Sequence, residues 1–461
     1  MKTVFATLIL AAALEGQVKL PPFTKQVLPN GVTLILSPKA ELPLTNFRVL
    51  IRGGADADPV GKSGLAAITS ELIRRGTSSR TAEVISESLD AMGATLVTRA
   101  DRSAISVDLE CLSKDISAAL DILADILLRP SFPQEEVSKA LTQALDSSRA
   151  IKDNPRMITG SYFNGFFYPH GHPYRQRPEG DEVSLAKLDR DAIVQFHQRQ
   201  FTGKNLIILA GGSFQSASME AKLAGLFSTL QAGETIPWVA PPELKRPETP
   251  RLLLIDKPDA TQTYFMIGQP GLKRGDPDEV PVTLINTLFG GRFTSMLNDE
   301  LRVNSGLTYG ANSTVNLNRT QGAITISTFT KTETTGKAID LALSILKKLN
   351  QQGITAEQLK SVKAYVKGTY PPQHLETADQ VAIVLGDIEL YGLNRGEVDD
   401  LFSKIDAVTL ERANSAARQH FQSGNLVFVL IGKAAEIRDV AKKYSPQVVE
   451  STIAKPGFWA E

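Results

Sequence analysis

The chain has 461 residues, with 50 Lys and Arg set against 50 Asp and Glu, and is 42% hydrophobic and 22% charged. That is the composition of a folding protein of about two to four domains, and a net charge of zero without a local basic cluster excludes an electrostatic grip on nucleic acid or an anionic membrane. The single cysteine, Cys111, excludes an internal disulfide framework and any CxxC metal or redox pair.

Lys2 precedes an apolar run from Val4 to Leu14, and Ala11 and Ala13 form a small-x-small pattern. This predicts a secretory signal over residues 1–16, cleaved near Ala13, and an exported, periplasmic chain. No later stretch approaches the ~18 apolar residues of a membrane helix, since Leu426 to Ile431 is only strand-sized, so the mature chain is expected to carry no membrane span.

Val27 to Leu36, with Asn30-Gly31 between two β-rich segments, predicts a hairpin, and Phe47, Val49 and Ile51 alternate as a half-buried strand. Leu65, Ile68 and Leu72 recur at helical spacing before Arg74, Arg75 and Gly76, and a second helix runs from Ala82 to Met92, stopping at Gly93. Ile105, Val107, Leu109 and Cys111 alternate, which makes Cys111 a core residue on a strand rather than a nucleophile. Ser113 is a candidate cap for a long amphipathic helix running to Leu128 and halted by Pro130. The resulting order β-α-α-β-α belongs to the α+β class.

From Gly233 to Pro250 five prolines interrupt a stretch without apolar periodicity, which predicts an extended linker dividing the chain nearly in half. The halves repeat one another. Phe201, Asn205, Leu206 and Gly212 match Phe421, Asn425, Leu426 and Gly432, and Phe132-Pro133-x-Glu135 matches Ile354-Thr355-x-Glu357, in the same order and at nearly the same offset. The expected architecture is two homologous halves, each an α/β sandwich, at 17–232 and 251–461, joined by a proline-rich linker at 233–250 into a clamshell with room for a ligand.

Most candidate chemical motifs fail on spacing. Gly61-Lys62-Ser63 has the tail of a phosphate-binding loop, but Asp56 stands where the loop needs glycine and Asp58 would repel phosphate, leaving a turn and helix start. None of His170, His172, His197, His374 and His420 has the one-turn pairing of a hydrolytic zinc helix, and His170-Gly-His172 sits in a proline-flanked loop without a third ligand. There is no GxSxG elbow, and a Cys/His pair would have to use Cys111.

The segment Gly64-Leu-Ala-Ala-Ile-Thr-Ser-Glu-Leu-Ile-Arg-Arg-Gly-Thr77 resembles the helix of pitrilysin/insulinase-type metallopeptidases, whose pattern is GLAHFLEHxxFKGT. The resemblance continues through Arg80-Thr81-Ala82-Glu83, Leu123-Ala124-Asp125-Ile126, Asp153-Asn154-Pro155 and His172-Pro173-Tyr174. In the second half Phe289-Gly-Gly-Arg-Phe-Thr-Ser-Met-Leu-Asn-Asp-Glu-Leu-Arg302 and Gly306-Leu-Thr-Tyr309 resemble that family's glycine-led helix and its LREKxGLxY pattern.

The departures carry the functional reading. Where the family has two zinc-binding histidines the chain has Ala67 and Glu71, where it has the water-activating glutamate the chain has Ser70, and the third ligand's position falls on Ser147. A methyl and a hydroxyl cannot replace imidazole nitrogens, so no metal is expected on this chain; Glu71 and nearby Asp146 are expected to be solvated carboxylates. Arg302 and Tyr309 match the pair that the resemblance implies holds substrate carbonyls beside the zinc, two donors suited to an oxygen gaining negative charge. Without the resemblance Arg302 reads as a cation at a helix end and Tyr309 as a strand aromatic, behind a helical core stripe of Phe293, Met296, Leu297 and Leu301 and a strand from Leu307 onward.

The resemblance therefore implies the zinc-less subunit of a heteromeric zinc endopeptidase, acting on peptides or unfolded polypeptide. An HxxEH-containing homologous subunit would carry the zinc, and Arg302 and Tyr309 would act in trans. The alternatives are a structural or scaffold subunit and a stand-alone peptide-binding protein without a proteolytic role.

Overall fold

The computed structural model describes residues 18–236, 238 and 240–458, so the expected signal at 1–16 lies outside the described residues. The first half holds strands β1 (Thr24–Val27), β2 (Thr33–Pro38), β3 (Leu44–Arg52), β4 (Thr95–Ala100), β5 (Ala104–Leu112) and β6 (Leu206–Gly212). The second holds β7 (Arg251–Asp256), β8 (Gln262–Pro270), β9 (Ala311–Val315), β10 (Ala323–Lys331), β11 (Val427–Gly432) and β12 (Val448–Thr452). Each set forms one six-stranded mixed sheet, in the order β1-β2-β6-β3-β5-β4 and β12-β7-β11-β8-β10-β9.

The two orders are the same fold written twice. In each, a parallel pair (β2 with β6, β7 with β11) is followed by antiparallel partners, and only the outer edge differs: β1 is antiparallel to β2, while β12 is parallel to β7. The residues that reveal the repeat fall in equivalent places: Gly212 and Gly432 end the central strands, and Phe201 and Phe421 follow the helices Arg190–Gln200 and Leu410–His420. Phe132 and Ile354 are both buried just before the helices Gln134–Ala150 and Ala356–His374. This is an α+β protein of two homologous halves.

Alternation explains one face of each sheet. Phe47, Val49, Ile51, Val107 and Leu109 point into the first core with Cys111, where they meet Leu65, Ile68 and Leu72 and the helix Ile116–Leu128. Phe265, Ile267, Ile326 and Leu430 do the same in the second half against Ile339, Leu346 and Phe421.

The opposite face of each sheet is covered by a helix from the other half. Ile158, Tyr162 and Phe163 of the helix Pro155–Phe167 pack on Leu253, Ile255, Val427, Val429 and Ile431 of the second sheet. Val381, Ala382 and Leu385 of the helix Ala378–Tyr391 pack on Ile35, Leu50, Ile207 and Leu209 of the first. The approach is close: a methyl added to Gly268 of β8 would lie 2.3 Å from the Phe163 ring. Lys25 and Arg52 also reach across to Glu389, at 2.5 and 3.2 Å. The lobes of the clamshell are therefore interlocked by reciprocal helices as well as tied by the chain at 233–250, whose described residues form neither helix nor strand.

Three local expectations about strands and caps are corrected by the structure. The single strand expected around Ile105 is half of the hairpin β4–β5. Ser113 does not cap the helix Ile116–Leu128: a short 3-10 turn, Ser113–Asp115, intervenes, and the Ser113 hydroxyl pairs with Thr45 Oγ1 at 3.2 Å. Leu307 does not begin a strand, because the amides of Leu307 and Thr308 both donate to the Leu301 carbonyl, at 2.9 and 3.2 Å, so the chain stays tied to the preceding helical turn until β9.

Candidate functional site

The helix Leu65–Leu72 carries Ala67, Ser70 and Glu71, three of the four positions that the resemblance aligns with a zinc site. Asp58 fixes its start, since its carboxylate accepts from the amides of Gly64 and Ala66, both at 2.8 Å. Burial pushes the Asp58 carboxyl up to about 7, against the pull of those amides and with the neighbouring charge of Asp56 adding to the rise.

The donor set on this helix does not fit zinc. Ala67 offers a methyl, and Ser70 is buried with its hydroxyl donating to the Ala67 carbonyl at 2.7 Å. Glu71 is not merely solvated: its carboxylate takes Arg74 at 3.0 Å and Arg75 at 2.5 Å, so two guanidiniums occupy the only anionic ligand and leave local charge that opposes a cation. Ser147 is exposed on the helix Gln134–Ala150, and Asp146 is exposed and paired with Arg149 at 3.3 Å. Among the described residues no group of three or more His, Cys, Asp and Glu side chains is placed to hold a metal.

The histidines are engaged elsewhere. His172 accepts from the Tyr174 amide at 3.1 Å through Nδ1, and its Nε2 makes no hydrogen bond; burial, helped by Arg102, pulls its pKa down to about 4. His197 is likewise lowered to about 4 by burial, its Nε2 meeting the Leu127 carbonyl at 2.9 Å, and His420 faces Asp278 at 2.9 Å.

The second-half pair lies on a different surface. Ser295 caps the turn Met296–Asn298, which continues as a π-helical turn, Asp299–Asn304, carrying Arg302. Leu297 and Leu301 are buried and Met296 is partly so, but Phe293 is 65% exposed, because it precedes the Ser295 cap and so leaves the helical stripe. It serves instead as a platform under Arg302, whose guanidinium lies 4.7 Å from the ring centre. The glycines leading this segment are steric: a methyl on Gly290 would sit 2.4 Å from the Ser313 amide of β9.

Tyr309 is 81% exposed on the connector ahead of β9, with its ring 6.5 Å from that of Phe329. Phe329 stacks at 5.3 Å on Tyr264, its cross-strand partner, and Arg156 from the first half stands 5.8 Å above it. No hydrogen bond joins Arg302 to Tyr309 or commits either side chain to another described residue, so both keep their donors available. Sequence reasoning missed the row formed by Tyr264, Phe329 and Arg156. Alternation along residues 262–270 and 323–331 could have placed the two aromatics on one face, whereas Arg156 arrives only through helix exchange.

Comparison with known proteins identifies the family. Residues 34–164 match the family described as Insulinase (Peptidase family M16), and residues 187–366 match the Peptidase M16 inactive domain. The chain belongs to peptidase family M16, and its sequence contains no HxxEH motif. It is 24% identical to an "Uncharacterized zinc protease YmxG" of Bacillus subtilis, over 85% of this chain and 94% of that one. It is 21% identical to a "Non-peptidase homolog YmxG" of Helicobacter pylori, over 85% and 89%. In three dimensions it is similar to a peptidase M16 inactive domain from Pseudomonas fluorescens, with a TM-score of 0.83, 23% identity and coverage of 89% and 98%. It is also similar to the first half of the periplasmic protease PqqL from Escherichia coli, with a TM-score of 0.72, 16% identity and coverage of 94% and 98%.

Proposed function

We propose that this chain is the zinc-less subunit of a two-chain endopeptidase that degrades peptides or unfolded polypeptide. A homologous partner carries the HxxEH helix and its zinc. This chain supplies Arg302 and Tyr309, which donate hydrogen bonds to the carbonyl of a peptide bond held at the partner's site. A donor aimed at an oxygen that gains negative charge lowers the barrier because the bond strengthens as the charge develops.

The observation that supports this reading most is the contrast between the two faces. On the helix Leu65–Leu72 the donors are gone and Glu71 is bound by Arg74 and Arg75, while Arg302 rests on Phe293 and Tyr309 stands exposed with an uncommitted hydroxyl. A chain selected only as a scaffold has no need of that second arrangement. Export to the periplasm is part of the proposal, resting on the Val4 to Leu14 run; among the described residues no helix is long and apolar enough to cross a membrane.

The test is reconstitution. An HxxEH homologue from the same organism, this chain, and their mixture are each assayed for hydrolysis of an unfolded polypeptide. The proposal expects co-elution and activity that depends on both chains. Full activity of the homologue alone would make this chain a scaffold or a separate peptide-binding protein.

A further inference from the structure

A cavity of about 650 Å3 opens between the two halves, and none of Ala67, Ser70, Glu71, Ser147, Arg302 and Tyr309 lines it. Its volume is in the range of small-molecule sites. Arg52 enters it from β3, Lys204 from the turn before β6, Arg319 from the β9–β10 loop, and Glu389 from the exchanged helix Ala378–Tyr391. Asp56 and Trp238 complete the part of the wall that matters here.

The cations outnumber the acids available to them. Glu389 is already shared by Lys25 and Arg52. Arg52 and Arg319, from opposite halves, both donate to the carbonyl of Leu390, at 3.4 and 2.9 Å, so two guanidiniums converge on one neutral oxygen. Arg319 also lies 5.2 Å from the Trp238 ring centre, within reach of a cation–π contact. Lys204 has no acidic partner among the described residues. Asp56 has both carboxylate oxygens buried and unbonded, although it lines the same space. Convergent arginines beside an aromatic wall and an unbonded buried acid make an incomplete hydrogen-bond network, which a ligand with acceptor oxygens would complete.

We propose that this cavity binds a small oxyanion, a carboxylate or a phosphate ester on an aromatic or aliphatic body, with Arg319 and Lys204 supplying the charge and Trp238 and Ile236 the apolar wall. The site is independent of the peptidase reading. Asp56 takes part as a neutral donor: burial pushes its carboxyl up to about 7, against the charges of Arg102 and Arg319, and Asp58 and Tyr174 are the other titratable groups that feel its charge. The acid therefore keeps its proton beside an anion at pH 6 and loses it above pH 7.

Benzoate and phenyl phosphate are the probes, titrated calorimetrically against the purified chain at constant chloride ionic strength. Saturable binding of benzoate assigns the site to carboxylates, and of phenyl phosphate to phosphate esters; either supports the proposal if Arg319→Gln and, independently, the exposed Lys204→Met weaken it about ten-fold or more. Benzoate, whose charge is constant over the range, should bind roughly ten-fold more weakly at pH 8 than at pH 6, and Asp56→Asn should abolish that difference. Binding of neither probe, binding that ignores both substitutions, or a pH dependence that survives Asp56→Asn would overturn it.

Discussion

Glu71, which the family resemblance aligns with a zinc-binding histidine, is committed to two arginines. At the end of a zinc helix it would have to be a free ligand, yet here it holds Arg74 and Arg75 in a fork that finishes the helix, an arrangement that stabilises the turn and repels a divalent ion. Elemental analysis after dialysis should find no stoichiometric zinc on the purified chain, and one tightly held zinc per chain would contradict the account. The triple change Ala67→His, Ser70→Glu, Glu71→His should not restore turnover by itself, because Arg74 and Arg75 then lose their partner and stand against the metal. Asp56 gives a second prediction at this scale. Its folded-state carboxyl titrates near 7, above its value of 3.8 in the unfolded chain, so the folded state keeps a proton that the unfolded state has lost. The stability this contributes is full below pH 4 and falls as pH rises to about 7, a loss on the order of 4 kcal/mol. Melting curves of Asp56→Asn should match the parent near pH 4 and exceed it at pH 8; equal melting temperatures at pH 8 would show that the carboxyl is not held above its usual range.

The helices Pro155–Phe167 and Ala378–Tyr391 occupy equivalent places in the repeat, and each leaves its own half to cover the other's sheet. Phe163 and Leu385 are the points at which this packing can be broken. Phe163→Ala should cost about 3–5 kcal/mol and Leu385→Ala about 2–5 kcal/mol, read by chemical denaturation, since both delete buried volume under a sheet that cannot collapse. Losses below ~1 kcal/mol would mean that the exchanged helices are loosely docked. This exchange also marks the limit of what the sequence discloses. Alternation in Phe47, Val49 and Ile51, the stop at Gly93, and the paired Phe201 and Phe421 were legible because strand, cap and repeat signals are local or self-similar. The apolar stripe of residues 155–167 announces burial without naming the sheet that buries it. Phe293, Ser113 and Leu307 were misplaced for a related reason: a cap at Ser295, a hydroxyl pair with Thr45 and two amides sharing the Leu301 carbonyl are tertiary or irregular choices that periodicity does not encode. The assignment of Ala67, Ser70, Glu71 and Ser147 to zinc positions rests on the family resemblance, whereas the cavity around Arg319 depends on residues brought together by the exchange.

Because the halves share two cores, the whole molecule should unfold as one unit, and the repeat should not behave as two beads on a linker. Calorimetry is expected to show a single transition whose calorimetric and van't Hoff enthalpies agree, with two resolved transitions as the contrary outcome. Mass spectrometry of the protein from its native host should give a chain beginning near residue 14 in the periplasmic fraction, and a chain retaining Met1 in the cytoplasm would reject export. At this scale the protein is read as half of an enzyme, with chemistry divided between a partner that holds the metal and a subunit that presents Arg302 and Tyr309. Peptide hydrolysis by the reconstituted complex, measured with Arg302→Ala and Tyr309→Phe beside the thermal stability of each, tests that division most directly. The account predicts intact assembly and melting with turnover lowered roughly 100- to 1,000-fold for loss of one donor. Unchanged hydrolysis with only the small stability loss of an exposed helix-end cation, about 0.3–1 kcal/mol, would contradict it.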